Sequence, residues 1–391
     1  MPMSRHPAFP VTAEDYRRLA KKRLPRFLFD YLDGGAGEEK TAAANLAGLD
    51  ALRLRQRVLV DVDGLDTTTT LFGQPWRMPL ALAPAGLAGM MARRGEVQAA
   101  RAAETAGVPM TASTVGICSL DELQAAVEKP VWFQLYMLRD RGAVEALLEN
   151  ARQAGCKTLV FTVDLPLPGM RYRDARNGLG LPGARAKRVR AAQALARPRW
   201  LWDVAVRGRP HTFGCLTDQV PDARDLDAFK AWVDGQFDPG VTWDDIAWLR
   251  ERWDGTLILK GIMEVDDARR AVEAGADGIV VSNHGGRQLD SAAATADKLP
   301  AIAAAAGEDT TVLVDGGIRS GVDIFKALAL GAHGALIGRA WMWALAAQGQ
   351  RGVENLLATL QHELMLTMTL TGTNSVSEIG RQQLDRLPEN N

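Results

Sequence analysis

Eight times along the chain a short β-branched or apolar run gives way to a polar or glycine-containing turn and then to a stretch with helical apolar spacing. The runs are Pro79–Pro84, Pro109–Thr114, Val131–Tyr136, Thr158–Asp164, Leu257–Gly261, Gly278–His284, Thr311–Gly317 and Gly334–Arg339. The stretches between them, such as Glu96–Ala103, Leu120–Val127, Ala143–Ala154, Trp243–Trp253, Val265–Ala274 and Val322–Leu330, repeat apolar residues near every 3.6 positions. Ser119, just ahead of Asp121 and Glu122, is a good helix N-cap. Eight such units predict an α/β chain folded as a (β/α)8 TIM barrel over about residues 79–345. A doubly wound sheet is the rival, but it seldom carries eight regular units. Around the barrel the sequence places an N-terminal helical segment (Thr12–Leu52), a long insertion after strand four (about 171–240) and a C-terminal helical tail. No low-complexity linker divides them, so residues 1–391 read as one domain with decorations.

The composition can fill such a core. Hydrophobic residues make up 47% of the chain and charged residues 24%, which excludes disorder throughout. With 46 Lys and Arg against 47 Asp and Glu, the formal charge of −1 gives no sign of a nucleic-acid partner. Cys118, Cys156 and Cys215 are too scattered for a disulfide framework or a CxxC metal site. They read as buried thiols in a reducing compartment, and no metal is expected. Met1–Pro10 has no apolar signal core, and the longest nearly apolar run, Pro79–Ala92, is shorter than the ~20 residues a bilayer span needs. The expectation is a cytoplasmic-side protein that does not cross a membrane.

Barrel enzymes gather their reactive groups at the C-terminal ends of the strands. Those ends here read Pro84-Ala85-Gly86, Ser113-Thr114, Gln134-Leu135-Tyr136, Thr162-Val163-Asp164, Lys260, Ser282-Asn283-His284, Asp315-Gly316-Gly317 and Gly338-Arg339. All but the first carry a polar or charged side chain, more than a bare scaffold needs. The loops after strands seven and eight commonly hold a phosphate in this fold. Glycines let backbone N–H groups approach its oxygens, and Arg319 and Arg339 add charge-assisted donors, so a phosphorylated ligand is expected. At the sixth end His284 stands beside Gly285 and Gly286, with Arg287 three residues on. Histidine suits general base work near neutral pH, and arginine grips a carboxylate through parallel N–H groups. Base and clamp together point to proton removal from a small organic acid.

The segment Ser282-Asn283-His284-Gly285-Gly286-Arg287-Gln288-Leu289-Asp290, with Lys260-Gly261 and Asp315-Gly316-Gly317-Ile318-Arg319, resembles the FMN-dependent L-2-hydroxy acid oxidases and dehydrogenases. That family includes glycolate oxidase, lactate oxidase, mandelate dehydrogenase and flavocytochrome b2. The resemblance runs from about residue 10 to about residue 380. Phe27–Ala36, Ala92–Ala100 and Thr162–Asp174 bring it nearest to the family's bacterial respiratory L-lactate dehydrogenases. It implies His284 as the active-site base, oriented by Asp164. It implies Arg171 and Arg287 as the substrate-carboxylate clamp, helped by Tyr31, with Tyr136 near the substrate hydroxyl. The implied cofactor is FMN. Ser113, Gln134, Thr162 and the backbone of Pro84, Ala85 and Gly86 would hold its ring, with Lys260 at the flavin N1 and O2 edge. Asp315, Gly317, Arg319, Gly338 and Arg339 would hold its ribityl phosphate, and Ser282 and Gly316 belong to the same cofactor-binding set.

The implied reaction takes the α-hydrogen and hydroxyl proton from an L-2-hydroxy acid, with L-lactate to pyruvate favoured. Hydride and proton routes both need this base and clamp. Gly86 stands where glycolate oxidase has Ala, and Val115 where it has a pocket Trp, which leaves room for L-mandelate and larger acids. Few residues precede the N-terminal helix, so no fused heme domain is expected and the acceptor is external, a quinone or another non-oxygen acceptor in preference to oxygen. An oxygen-using oxidase or a mandelate-type dehydrogenase is the alternative. Other FMN or phosphate-binding barrels share the loops after strands seven and eight but would lack the His284–Arg287 pair. Family analogy suggests a homo-oligomer, a tetramer.

Arg185–Arg209 departs from the balanced charge of the rest. Arg185, Lys187, Arg188, Arg190, Arg197, Arg199, Arg207 and Arg209 face one acid, Asp203, with Trp200, Leu201 and Trp202 among them. One reading is a solvated lid. The other is an interfacial patch, with cations drawn to anionic lipid and tryptophans at headgroup level. The family's respiratory members attach peripherally, so the resemblance favours attachment to the inner face of the cytoplasmic membrane. No nucleic-acid-binding module surrounds the patch.

Overall fold

The expected strands close into a ring. In the computed structural model, which describes residues 9–385 apart from 180, 182, 218–231, 233, 234 and 309, an antiparallel hairpin comes first, β1 (Thr69–Leu71) and β2 (Gln74–Trp76). Eight parallel strands follow: β3 (Leu80–Leu82), β4 (Thr111–Ser113), β5 (Trp132–Leu135), β6 (Thr158–Thr162), β7 (Thr256–Ile262), β8 (Gly278–Val281), β9 (Thr311–Val314) and β10 (Gly334–Ile337). Their order is β3-β10-β9-β8-β7-β6-β5-β4. Leu82 bridges Met110 to shut the ring, and its N–H donates to the Pro109 carbonyl at 2.9 Å. Helices return the chain on the outside after each strand, as parallel pairing requires. Ser119 caps its helix as expected, with Oγ accepting from the Glu122 N–H while its own N–H donates to the Glu122 carboxylate.

Strand side chains alternate, and the inward set decides where chemistry can occur. Low in the barrel the inward residues are apolar. Ala81, Trp132, Val160, Ile258, Val280, Leu313 and Leu336 are buried and pack on Leu71, Phe72 and Trp76 of the hairpin, which plugs that end. Each large side chain so buried contributes roughly 1.5–3 kcal/mol. Two residues further along the same strands the inward positions become Gln134, Thr162, Lys260, Ser282 and Asp315. A single step of the two-residue period thus turns a dry floor into a polar chamber.

The N-terminal segment forms three helices, Ala13–Arg23, Arg26–Asp33 and Lys40–Ala51; the first packs on Arg339–Gln348. The tail helix Gln350–Thr371 packs on Gly95–Ala106 and Gly321–Ala329. The insertion contributes Tyr172–Arg176, Ala184–Leu195 and Pro198–Trp200, the last running into a π-helical turn, Leu201–Val206. Residues 218–231 of that insertion, and 1–8 of the N-terminal reading, lie outside the described residues.

Two departures from the expectation have simple causes. The hairpin was not anticipated, because three-residue strands carrying Gln74 and Pro75 show too little alternation. The helix expected to reach Val127 stops at Gln124, and several strands are a residue or two shorter at their frayed ends. Among the described residues no helix is long and apolar enough to cross a membrane, and no cluster of His, Cys, Asp or Glu is shaped for a metal. The three cysteines are buried and free, and burial pushes the thiols of Cys156 and Cys215 up to about 12.

Candidate active site

A cavity of ≈ 500 Å³ opens over the polar layer, at the C-terminal strand ends. Tyr31, Pro84, Ala85, Gly86, Tyr136, Thr162, Arg171, Lys260, His284, Arg287, Asp315, Gly316, Gly317, Arg319, Gly338 and Arg339 all line it. Ser113, Asp164 and Ser282 stand behind that wall, and Gln134 lies in the polar layer beneath the cavity. Ser113 Oγ donates to Gln134 Oε1 at 3.1 Å, Ser282 Oγ accepts from Lys260, and Asp164 meets His284.

Past β8 the chain turns through His284, Gly285 and Gly286, with φ of 58°, 61° and 73°. Positive φ is a strained conformation for histidine. Ser282 Oγ accepts its N–H at 3.1 Å, and Asp164 Oδ1 accepts from its Nδ1 at 2.8 Å. Asp164 comes this close because Gly261 has no Cβ, which would lie 2.6 Å from that of Asp164. Burial works against the Asp164 carboxylate, but His284 and Lys260 outweigh it and hold its pKa below the ordinary value. An ionised Asp164 accepting from Nδ1–H leaves Nε2 as the basic nitrogen.

Two arginines converge over Tyr31. The guanidinium carbons of Arg171 and Arg287 lie 5.6 and 5.1 Å from its ring centroid. Arg287 Nη1 donates to the carbonyls of Tyr31 and Gly34, both at 2.8 Å. Burial, then repulsion from Arg171 and Arg339, pulls the Arg287 pKa down to about 9. Arg171 pairs with Asp174 Oδ2 at 3.5 Å, whereas the hydrogen bonds of Arg287 go to carbonyls, so this half-buried cation can take an anionic ligand. Tyr136, its pKa raised by burial and by Asp164, stands edge-on to Phe237 with ring centroids 5.3 Å apart.

Lys260 donates to Ser282 Oγ at 2.9 Å and pairs with Asp315 Oδ2 at 2.9 Å. Burial opposes its charge, yet Asp315 and Asp164 prevail and hold its pKa above the ordinary value. Around it Gln134 Nε2, Thr162 Oγ1 and Asp315 Oδ1 are buried with no hydrogen-bond partner among the described residues. Each such orphan costs about 1–3 kcal/mol, so the chamber is built for a polar ligand. Gly316 and Gly317, at φ 94° and 90°, form a bare backbone cradle; a Cβ on Gly317 would lie 2.4 Å from the Asn45 carbonyl. Arg319 lies over Trp343, 4.9 Å from the ring centroid, and burial pulls its pKa down to about 10. Arg339 has a bracing role that the sequence did not suggest. Its Nε, Nη1 and Nη2 donate to the carbonyls of Asp33, Gly285 and Gly34 at 3.1, 2.8 and 2.8 Å.

Some participants escaped the sequence reading. Asn45 and Asn283 exchange side-chain hydrogen bonds at 2.8 and 2.9 Å, fastening the N-terminal segment to the His284 loop. A lone Asn within the Ala-rich helix Lys40–Ala51 was the only signal. Phe213 and Phe237 line the cavity from the insertion, where no periodicity could place them.

The basic segment needs one correction. Trp202 is 62% exposed, but Trp200 is buried, with Nε1 donating to the Met90 carbonyl at 2.8 Å and its ring edge-on to Phe27. Only Trp202 is free to meet a lipid headgroup, because the two side chains leave the helical turn in different directions. Arg185, Lys187, Arg188, Arg199, Arg207 and Arg209 are exposed, whereas Arg190 and Arg197 donate to the carbonyls of Gly178 and Leu24.

A parallel barrel whose open end sets a buried lysine and a glycine cradle beside an Asp–His pair and a double-arginine clamp defines a cofactor-dependent enzyme acting on an organic acid. Residues 20–386 match the family model of the FMN-dependent dehydrogenases, and the chain belongs to that family. It is 52% identical to an L-lactate dehydrogenase of Stenotrophomonas maltophilia (strain R551-3) over 96% of this chain and 98% of that one. It is 53% identical to an L-lactate dehydrogenase of Caulobacter sp. (strain K31) over 95% and 97%. Among solved structures, the monotopic membrane protein (S)-mandelate dehydrogenase superposes with a TM-score of 0.90 at 34% identity, covering 96% of this chain and 99% of that one. A mandelate oxidase superposes at 0.81 with 40% identity, covering 96% and 98%. The cofactor is FMN, and the orphaned polar atoms and the glycine cradle fit it.

Proposed function

We propose that the protein oxidises an L-2-hydroxy acid, L-lactate to pyruvate first among them, and passes the electrons to a quinone or another external acceptor. The observation that carries this reading is the His284–Asp164 pair sharing one cavity with Arg171 and Arg287. The name L-lactate dehydrogenase, borne by relatives about half identical over nearly their whole length, supports the substrate. Arg171 and Arg287, with Tyr31, hold the carboxylate. Tyr136 stands by the substrate hydroxyl, and His284 Nε2 takes the proton. The charge that forms on the imidazole is balanced by the Asp164 carboxylate, 2.8 Å from Nδ1. When bound, FMN accepts the two electrons the substrate loses. Gln134, Thr162 and the backbone of Pro84, Ala85 and Gly86 would hold its ring beside Lys260, with Ser113 and Ser282 supporting from behind. Gly316, Gly317, Arg319, Gly338 and Arg339 would hold its phosphate end, and Asp315, paired with Lys260 at 2.9 Å, would accept from its ribityl hydroxyls. The purified protein should be yellow and should bleach anaerobically with L-lactate. His284→Gln should keep FMN and substrate binding but lose roughly 10²–10⁴-fold in flavin reduction. A colourless protein that cannot be reconstituted with FMN, or near-normal reduction in the variant, would overturn the reading.

A second reading concerns substrate size. Gly86 lets Val115 pack close beside the cavity, since a Cβ there would lie 2.7 Å from Val115 Cγ2 and 3.5 Å from the Tyr31 hydroxyl. The names of the mandelate enzymes of like fold favour activity on aromatic 2-hydroxy acids as well. Rates across a panel of 2-hydroxy acids decide it. Reoxidation of the reduced protein by a soluble quinone and by oxygen decides the acceptor; a fast oxygen reaction would make it an oxidase. The exposed cations of 185–209 with Trp202 support peripheral attachment to an anionic membrane, and a tetramer is the proposed assembly.

A further inference from the structure

We infer that Gln288 is a positioning residue, a latch that sets the register between the base pair and the carboxylate clamp. The inference rests on the proposed roles of His284, Asp164 and Arg171. Asp164 and Arg171 bracket a short irregular stretch, 165–170, that leaves β6 for the insertion. Pro166 and Pro168 lack an N–H, and Leu167 and Met170 are 59% and 64% exposed. Leu165 packs on the core and the Met170 carbonyl accepts from the Gly37 N–H at 2.9 Å, which leaves the middle of the stretch, 166–169, without local hydrogen bonds or deep burial to fix its shape. The Gln288 amide supplies what is missing. Its Nε2 donates to the carbonyls of Asp164 at 3.1 Å and Leu167 at 3.0 Å, and its Oε1 accepts from the Gly169 N–H at 3.0 Å. Both ends of one side chain are thereby committed to three points on that stretch.

A separate observation shows how tightly the stretch is seated. A Cβ on Gly169 would lie 2.3 Å from the Arg287 carbonyl and 2.9 Å from Gln288 Cα, so backbone rests on backbone there. Asp164 is therefore fixed to the His284 loop twice, once through its carboxylate to His284 Nδ1 and once through its own carbonyl to Gln288. Arg171 follows at the far end of the latched stretch. Releasing the latch moves Asp164 and Arg171 relative to each other, which disturbs proton removal and substrate grip together.

The test uses FMN-loaded Gln288→Met, which keeps the length of the side chain but not its hydrogen bonds, and Gln288→Glu, which keeps the acceptor and loses the donors. Stopped-flow reduction by L-lactate, expressed per bound flavin, is expected to show a raised KM together with a lowered kcat, about 10–100-fold in kcat/KM. Hydrogen exchange is expected to quicken at 165–171 and not in β7 or β8. A residue of merely structural importance would lower the flavin-loaded fraction and leave kinetics per flavin unchanged. Per-flavin constants within about twofold of the parent in both variants, or unchanged exchange at 165–171, would overturn the latch. Failure of the catalytic reading is distinct: it shows in the parent protein, as a flavin that no 2-hydroxy acid reduces, and takes the latch with it.

Discussion

Replacing Asp164 with Asn removes one charge and little volume from the contact that defines the base. His284 Nδ1 and Asp164 Oδ1 are 2.8 Å apart, with both side chains largely shielded from water. When the imidazole takes a proton, two unit charges centred about 4 Å apart attract by about 4 kcal/mol at the effective dielectric of a protein site. An Asn carbonyl oxygen can still accept from Nδ1–H, which returns ~1 kcal/mol. The remaining 3 kcal/mol or so, at 1.36 kcal/mol per decade, slows flavin reduction roughly 10²-fold. Gly261 keeps the space for the side chain, and the Gln288 latch acts on the Asp164 main chain, so neither is disturbed. The assay is anaerobic stopped-flow reduction by saturating L-lactate, monitored by flavin absorbance and normalised to bound FMN. A loss of less than about fivefold, with FMN retained, would show that the Asp164 charge does not stabilise the imidazolium.

Other consequences follow from single contacts. Gly317→Ala forces a side chain onto φ +90° and 2.4 Å from the Asn45 carbonyl; the flavin-to-protein absorbance ratio should fall and unfolding should become at least ~2 kcal/mol easier, and unchanged values of both would refute the cradle. Burial works to raise the Asp33 pKa, but Arg17 at 2.5 Å and Arg173 at 2.8 Å hold it below 3.8, so its contribution is complete above pH 3.8 and is lost as pH falls through the folded value. Asp33→Asn should therefore cost about 2 kcal/mol at pH 7, discounted for the water around both arginines, and the gap in denaturant melts should narrow as pH falls below 3.8; a gap that widens would refute the sign. Trp200→Ala should destabilise the fold by about 3–5 kcal/mol, whereas Trp202→Ala should stay within about 0.5 kcal/mol in the same melts. Trp202→Ser with four of the exposed arginines changed to Gln should no longer co-sediment with anionic liposomes at low salt, each cation being worth about 1 kcal/mol there; equal partitioning of variant and parent would leave the segment a soluble lid.

The barrel was legible because its strands carry two messages in one alternation. Val160, Ile258 and Leu313 mark the inward face of a buried strand, and Thr162, Lys260 and Asp315, two residues on, mark where that face meets a ligand. His284 and Arg287 were legible because base and clamp sit in one short loop. What stayed hidden depends on contacts between segments far apart in the chain. Nothing local distinguishes Trp200 from Trp202 until Phe27 and Met90 are brought against one of them. Asn45 has a role only once Asn283 faces it, and Phe237 only once the end of the insertion pairs with Leu138 beside β5.

The way the N-terminal helices are fastened sets a timetable for making the molecule. Asn45 finds its partner 238 residues downstream, Glu38 donates its N–H to Asp290 252 residues on, and the Gly34 carbonyl is gripped by Arg339 305 residues on. At translation rates of roughly 5–20 residues per second, the first of these gaps alone lasts roughly 12–48 s. Throughout that interval Phe27, Leu28, Phe29 and Leu32 have been made while the helix Arg339–Gln348 beside them has not. The stretch that carries Tyr31 is thus made well before the residues that seat it. A ribosome that stalls before Arg339 displays this greasy stretch to whatever chaperone stands at the exit tunnel.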